Sequence, residues 1–439
     1  MNGDVLARFL RYVKVDTQSD ENSGTHPSSK KQKDLAHLIA QELEEMGFQR
    51  MEMPSVIQQT SQTTNRAGNA SEGAQVPLAT YVLDEEHGYL YARLDHPDIT
   101  SPRIGLIAHL DTSPEVSGTQ VNPQIVENYD GNPIVLGVDS DCTTRLLDPE
   151  EFPELLKYKG QTLVTTDGTT LLGADDKAGI AEILSMVSYY LDHPDEPHVP
   201  IRFAFTPDEE IGEGTLYFDQ KIFDADYAYT VDGGELGELS YENFNAAGAT
   251  IQITGRNVHP GEAYGKMIHA ARMAMEIEAA LPSEARPEKT RDHEGFFHLT
   301  EITGDTSEAT MHYIIRDHDA SDFAKKKELL LRVCETVERA HPGAHIDVEL
   351  GDTYYNMIDR IRPHMDIVER AAEAMRRCDI EPRIEPIRGG TDGATLSYRG
   401  LLCPNLCAGG HNFHGVYEFI SVEAMTLITT LLIELTKPV

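Results

Sequence analysis

In five places along this chain a short apolar run ends in histidine, aspartate or glutamate. They are IGLIAHLDT at 104–112, LLGADDKAGI at 171–180, the run into TPDEE at 206–210, AYTVDGG at 228–234 and GGHNFHG at 409–415. One such run means little. Five imply a sheet on whose rim they meet, because ligands of open α/β sheets bind beyond the carboxyl ends of the strands. Acids and histidines there are badly sited for stability and well sited for chemistry.

The stretch IRFAFTPDEEIGEG, Ile201 to Gly214, is the clearest of these. Ile201, Phe203 and Phe205 alternate as a half-buried strand does, and Pro207 cannot continue the ladder. Asp208, Glu209 and Glu210 therefore land at the strand's tip. Neighbours on an extended chain point in opposite directions, so Glu209 and Glu210 are expected to have different jobs, one binding a metal and one moving a proton. In HLD, His109 and Asp111 share a side while the strand persists, and the carboxylate can take the ring proton of a metal-binding imidazole.

A length of 439 residues exceeds the roughly 250–300 at which single cores usually divide, so two domains are expected. The balance of 37 basic against 73 acidic residues gives −36, which argues against nucleic acid or anionic membrane as a general partner. Met1 to Tyr12 carries Asp4 and lacks an apolar signal core, and no run approaches the ~20 apolar residues of a membrane span, so a cytoplasmic location is expected. Five cysteines in so long a chain do not make a disulfide framework, and Cys403 and Cys407 in LLCPNLCAGG read as buried strand thiols.

Apolar stripes predict helices at Val5–Val13, Leu35–Met46, Lys177–Leu191, Met365–Arg377 and Val422–Leu435, and strands at Tyr89–Leu94, Ile104–His109 and Asp226–Val231. Ser61–Gln75 is polar and glycine-bearing and reads as an exposed insertion. From Gly248 the order becomes strand, helix, strand, strand, helix, strand, the ferredoxin-like split unit. The fold class expected is α/β, a mixed-sheet catalytic domain at 1–245 and 355–439 with an α+β lid inserted at 246–354.

The motifs HxD, GADDK, EE and HG, together with VNPQIVENY, VDGGELGELSYENFNAA, NVHPG, MHYIIRD and PIRGGTDGA, resemble the di-zinc exopeptidase family and, within it, its tripeptide aminopeptidases. The resemblance runs from Phe9 to the C-terminal helix. It implies one zinc held by His109 and Asp232 and the other by Glu210 and His414, with Asp175 bridging. The family's bridging acid lies two before the lysine, which selects Asp175 over Asp176, and the histidine before glycine selects His414 over His411. Glu209 is implied as general base and then acid, and Asp111 as the group that orients His109. Three carboxylates against two divalent ions leave one positive charge, which a hydroxide would neutralise.

The resemblance also implies substrate contacts. His259 in NVHPG matches a family histidine that stabilises the oxyanion and that in several relatives comes from the partner subunit. Arg316 and Arg388 are candidates to grip a substrate carboxylate or carbonyl, and Gly389 and Gly390 would admit a peptide closely. The function implied is hydrolysis of the N-terminal residue from tripeptides, with two Zn2+ per subunit that Co2+ or Mn2+ can replace, and with the lid as a candidate homodimer surface. The alternatives are a dipeptidase or carboxypeptidase of the same family and, from another class, a zinc-binding protein without catalysis.

Overall fold

The computed structural model describes residues 2–53, 77–138 and 143–438, so the insertion read at Ser61–Gln75 lies outside the described residues. The chain forms two compact units. The first comprises Met1–Ser240, Pro363–Ile384 and Leu396–Val439; the second comprises Tyr241–Arg362 and Glu385–Thr395.

The first unit is built on a nine-stranded mixed sheet. The elements that carry the site are β1 (Ile104–His109), α1 (Ala174–Asp192), β2 (Ile201–Thr206) and β3 (Tyr227–Gly233). β1 lies between β2 and β3 and parallel to both, with Ile104 beside Ile201, His109 beside Thr206 and Tyr227 beside Ile104. Asn405–Cys407 continues the parallel set beyond β3, while Leu90–Leu94 flanks β2 antiparallel. The carboxyl ends of these parallel strands thus open on one edge.

All residues of β1 and β2 are buried, as expected where layers cover both faces of a sheet. β2 therefore differs from the half-buried strand its alternation predicts; Arg202 is buried too and donates to Asp95 at 2.7 Å. Ile107, Ala204 and Ala228 join Phe218, Phe223 and Leu401 in one core cluster. α1 packs on β1 and β3 and against the helices Asn2–Tyr12 and Val422–Thr436. Its approach to β3 depends on Gly179, where a Cβ would stand 2.1 Å from the carbonyl oxygen of Val231. Cys403 and Cys407 are buried free thiols in and beside the strand Asn405–Cys407.

A smaller antiparallel sheet pairs Gly410–His411 with Phe419–Ser421, then Leu163–Thr165, then Gln124–Val126. Its strands are two or three residues long, too short to leave a period in the sequence. The connection between its first two strands carries His414.

The second unit holds a four-stranded antiparallel sheet made by Asn245–Thr254, Phe296–Gly304, Glu308–Asp317 and His345–Tyr354. In sequence order its strands run 2-3-1-4 across the sheet, and Ala270–Ala280 and Ala320–Ala340 supply the two helices of a ferredoxin-like unit. Burial alternates strictly along Glu308–Asp317, and Met311, Tyr313 and Ile315 meet Met273, Ile277 and Leu330 in the core. The segment Glu385–Thr395, expected in the catalytic part, belongs to this unit. The reason is local bonding: the Ile387 N–H donates to Glu242 O at 2.8 Å, and Arg388 donates to Asp292 O at 2.7 Å.

Candidate metal centre

β1 ends at His109, and the side chain finds two acids from other elements. Its Nε2 stands 2.8 Å from Asp175 Oδ1 and 3.4 Å from Asp232 Oδ1. On the far side of the ring, Nδ1 lies 3.0 Å from the Asp111 carbonyl oxygen and 3.3 Å from its Oδ1. An Nδ1–H donated to Asp111 leaves Nε2 as the ligating atom. The strand has already stopped at His109, so it is this bonding rather than a strand's pleat that sets Asp111 against the ring.

Asp111 is fully buried and does more than orient the imidazole. Its Oδ1 accepts the Glu209 N–H at 3.0 Å and its Oδ2 the Glu210 N–H at 3.1 Å. Pro207 ends β2 as expected, but the acids after it are not extended. Asp208 takes a left-handed conformation at φ 56°, and Glu209–Ile211 form one turn of 3-10 helix whose two leading N–H groups point at Asp111. The different environments of the two glutamates arise from this turn. Asp208 is anchored elsewhere, its carboxylate accepting the Ser28 N–H at 2.6 Å.

At the start of α1 the backbone departs from helical angles at Asp175 and Asp176, and the peptide between them is cis. Asp175 reaches both histidines: its Oδ1 meets His109, and its Oδ2 lies 3.3 Å from His414 Nε2. That same Nε2 is 2.8 Å from Glu210 Oε2. Two sets result, His109 with Asp175 and Asp232, and Asp175 with Glu210 and His414, each offering ligand atoms within 4.8 Å of one another. Asp175 is common to both. Atoms about 2.0–2.2 Å from one zinc ion lie some 3–4 Å apart, so these spacings suit a metal.

The neighbouring residues sort themselves. Asp176 is buried and turns inward to accept the His109 N–H at 3.1 Å. His411 stands apart, 2.6 Å from the Tyr158 hydroxyl, and burial pushes it down to about 4, which keeps it neutral.

The electrostatics follow from crowding three carboxylates in a buried site. Burial and Asp175 push Glu210 up to about 8, and burial pushes Asp232 up to about 6. Hydrogen bonding to Asp175 and Glu210 lifts His414 to about 11. Burial alone would lower His109, yet Asp232, Asp111 and Asp175 hold it well above its ordinary value. Burial would raise Asp175, but both histidines keep it well below the usual range. Divalent charge would relieve these repulsions. Glu210 Oε1 supplies a direct test of fit, being a buried carboxyl oxygen with no hydrogen-bond partner among the described residues. Two imidazoles and three carboxyl groups, one of them with an orphaned buried oxygen, form a donor set suited to two zinc-class ions.

Two supporting residues escape sequence reasoning. Glu418 is buried, and its carboxylate accepts the N–H groups of Leu172, Gly173, Ala174 and Asp175 at 2.7, 2.9, 2.6 and 3.2 Å. It thereby fixes the backbone that presents Asp175. Lys177 is buried and donates to Val15 O at 2.7 Å, and burial pushes it down to about 8. Lys177 had a signal, the GADDK motif; Glu418 had none.

The remaining candidates lie in the second unit. His259 is exposed in a turn, where its Nδ1 accepts the Gly261 N–H at 3.2 Å. Arg316 donates to Ile315 O at 3.1 Å, with its guanidinium 5.2 Å from the Tyr354 ring centre. Arg388 donates to Asp292 O and Glu294 O and to Thr290 Oγ1, and lies over Phe244 at 5.0 Å. Among the described residues both guanidiniums donate to main-chain oxygens, and one of them to a threonine hydroxyl, rather than to an acid. At Gly389 a Cβ would make only an ordinary contact with the Ile387 side chain at 3.9 Å, whereas at Gly390 a Cβ would meet the Tyr354 ring at 2.8 Å. Packing against Tyr354 is therefore sufficient reason for Gly390.

Comparison with known proteins matches residues 162–437 to the family described as Peptidase family M20/M25/M40. The sequence is 47% identical over 438 residues to Peptidase T of Geobacillus sp. (strain WCH70), covering 100% of this chain and 98% of that one. It is 46% identical over 438 residues to Peptidase T of Bacillus subtilis (strain 168), again covering 100% and 98%. Among solved structures, the aminopeptidase PepT of Bacillus cereus ATCC 10987 aligns with TM-score 0.73 at 20% identity over 99% of this chain and 98% of its own. A dinuclear metal binding peptidase of the M20 family from Bacillus subtilis aligns with TM-score 0.62 at 14% identity over 99% and 97%.

Proposed function

This chain belongs to peptidase family M20/M25/M40 and groups with its Peptidase T members, and from that premise we propose that it is a di-zinc tripeptide aminopeptidase. The observation that carries the proposal is Asp175, one carboxylate shared by two sets of metal-ligating side chains. His109 and Asp232 would hold one ion and Glu210 and His414 the other, with Asp175 available to both; Co2+ or Mn2+ would satisfy the same donors. When bound, such a pair lowers the pKa of an intervening water and stabilises the developing oxyanion.

The protein's own groups do the rest. Asp111 accepts a hydrogen bond from the Nδ1–H of His109 so that Nε2 faces the centre, and by accepting two N–H groups it holds the turn of Glu209 and Glu210. Glu209 takes a proton from the attacking water and returns it to the leaving amine. Its half-buried place on that turn and the ligand role of its neighbour support the assignment. His259 steadies the oxyanion, Arg316 or Arg388 binds the peptide's carboxylate, and Gly389 lets the peptide backbone approach. The setting proposed is the cytoplasm, with homodimers formed through the second unit. Among the described residues no helix is long and apolar enough to cross a membrane.

The test is to incubate the zinc-loaded protein with an unblocked tripeptide of three different residues and identify the first products by mass. The expected result is a free N-terminal amino acid with the remaining dipeptide and no further cleavage. A free C-terminal residue would move the protein to the carboxypeptidases. An intact peptide would refute the tripeptidase reading.

A further inference from the structure

Asp208 and Glu213 flank the turn that carries Glu209 and Glu210, and the Glu213 N–H donates to the Asp208 carbonyl oxygen at 2.9 Å. Asp208 is fully buried. Its Oδ2 accepts the Ser28 N–H at 2.6 Å, and its Oδ1 accepts the Gln32 amide at 2.5 Å and the Ser28 hydroxyl, but none of these donors brings a charge. Taking a carboxylate out of water costs least when a cation stands beside it. Among the described residues His26 is the one basic side chain within ion-pair reach, its Nδ1 3.2 Å from Asp208 Oδ2 and 3.8 Å from Glu213 Oε2.

Among the described residues that nitrogen has no hydrogen-bond partner. The His26 side chain is 6% exposed, and its Nδ1 is buried without a partner although two carboxylates stand before it. The ring's other nitrogen, Nε2, is 3.1 Å from the Tyr89 hydroxyl. In the tautomer that donates Nε2–H to Tyr89, Nδ1 aims a lone pair at two carboxylates, and a cation between them would stabilise that arrangement. Burial keeps the ring neutral against the pull of Asp208 and Glu213, and neutral imidazole is the ligating form.

We propose that His26, Asp208 and Glu213 bind a third divalent cation of zinc class. One atom from each lies within 4.8 Å of the others, and the set shares no residue with the two sets around Asp175. One imidazole nitrogen and two carboxylate oxygens, completed by water, make a zinc-type site. Calcium asks for six to eight oxygens, which this set does not supply. The cation clasps both ends of the turn that bears Glu209 and Glu210 and ties them to the segment around His26.

The test compares wild type with His26→Phe and Glu213→Gln, each dialysed against the same buffered Zn2+ and then measured for zinc per chain by elemental analysis. The expected result is one zinc equivalent fewer in the variants. The readout is a difference, so it holds whatever the centre at Asp175 retains. Equal zinc in wild type and a folded His26→Phe overturns the proposal. If circular dichroism shows that His26→Phe is misfolded, Glu213→Gln decides on the same terms, because its side chain is 48% exposed and its loss leaves the core intact.

Discussion

Asp111 is the residue on which most of the centre's order converges, since one carboxylate meets the His109 ring and two backbone N–H groups. In Asp111→Asn one of those N–H groups faces an amide NH2 instead of an oxygen, and zinc affinity and kcat/KM are expected to fall about 10–100-fold. Glu209→Ala should differ in kind, with kcat lower by about 10²-fold or more while bound zinc, measured on the same sample, is unchanged. Glu182 tests burial alone: it is fully buried, neither carboxyl oxygen has a hydrogen-bond partner among the described residues, and burial holds its pKa well above the ordinary 4.5. The folded chain then keeps a proton that the unfolded chain has lost, so stability drops as pH rises from 4.5 toward the folded value. Glu182→Gln removes that titration, and its Tm should fall less than that of wild type over the same rise. How far such residues can be read in advance depends on local spacing. His109 and Asp111 are legible because they sit two apart in one motif. The choices within Asp175–Asp176 and between His411 and His414 come from the family motif and not from spacing, because they turn on backbone angles; His414, at φ 61°, sits on a loop that no periodicity describes. Glu418 is less legible still, for its four N–H partners lie more than 240 residues earlier.

At the scale of elements, the contact of α1 with β3 is the joint that sets Asp175 beside Asp232. A glycine-to-alanine change inside an exposed helix usually gains about 1 kcal/mol. At Gly179 the new methyl would meet Val231 O at 2.1 Å, so Gly179→Ala is expected to cost about 1–3 kcal/mol by overpacking and to lower activity by shifting α1 from β3. Thermal unfolding and a kcat measurement on one preparation check both. Long elements were legible because their period repeats: Met365–Arg377 forms as a helix over its expected span, and Glu308–Asp317 keeps strict alternation. The 3-10 turn at Glu209–Ile211 and the two- and three-residue strands around His414 were not, since elements so short show no period.

For the molecule as a whole, a net charge of −36 works against compactness by self-repulsion. Salt shortens the reach of that repulsion to about 8 Å at 0.15 M, so Tm should rise as NaCl is added to a low-salt buffer, and a flat response would show that the acids are locally compensated. Length pointed to two units and the split strand–helix order to the second. The return of Glu385–Thr395 to that second unit was not legible, because it depends on bonds such as Ile387 N–H to Glu242 O that no local pattern announces. That return means the chain passes between its units four times, at 240/241, 362/363, 384/385 and 395/396. For anyone building chimeras, a single cassette is therefore not a transplantable module: moving 241–362 alone would strip Arg388 of its acceptors Asp292 and Glu294. Recombination between relatives should tolerate breakpoints here only in matched pairs, with both segments inherited from one parent.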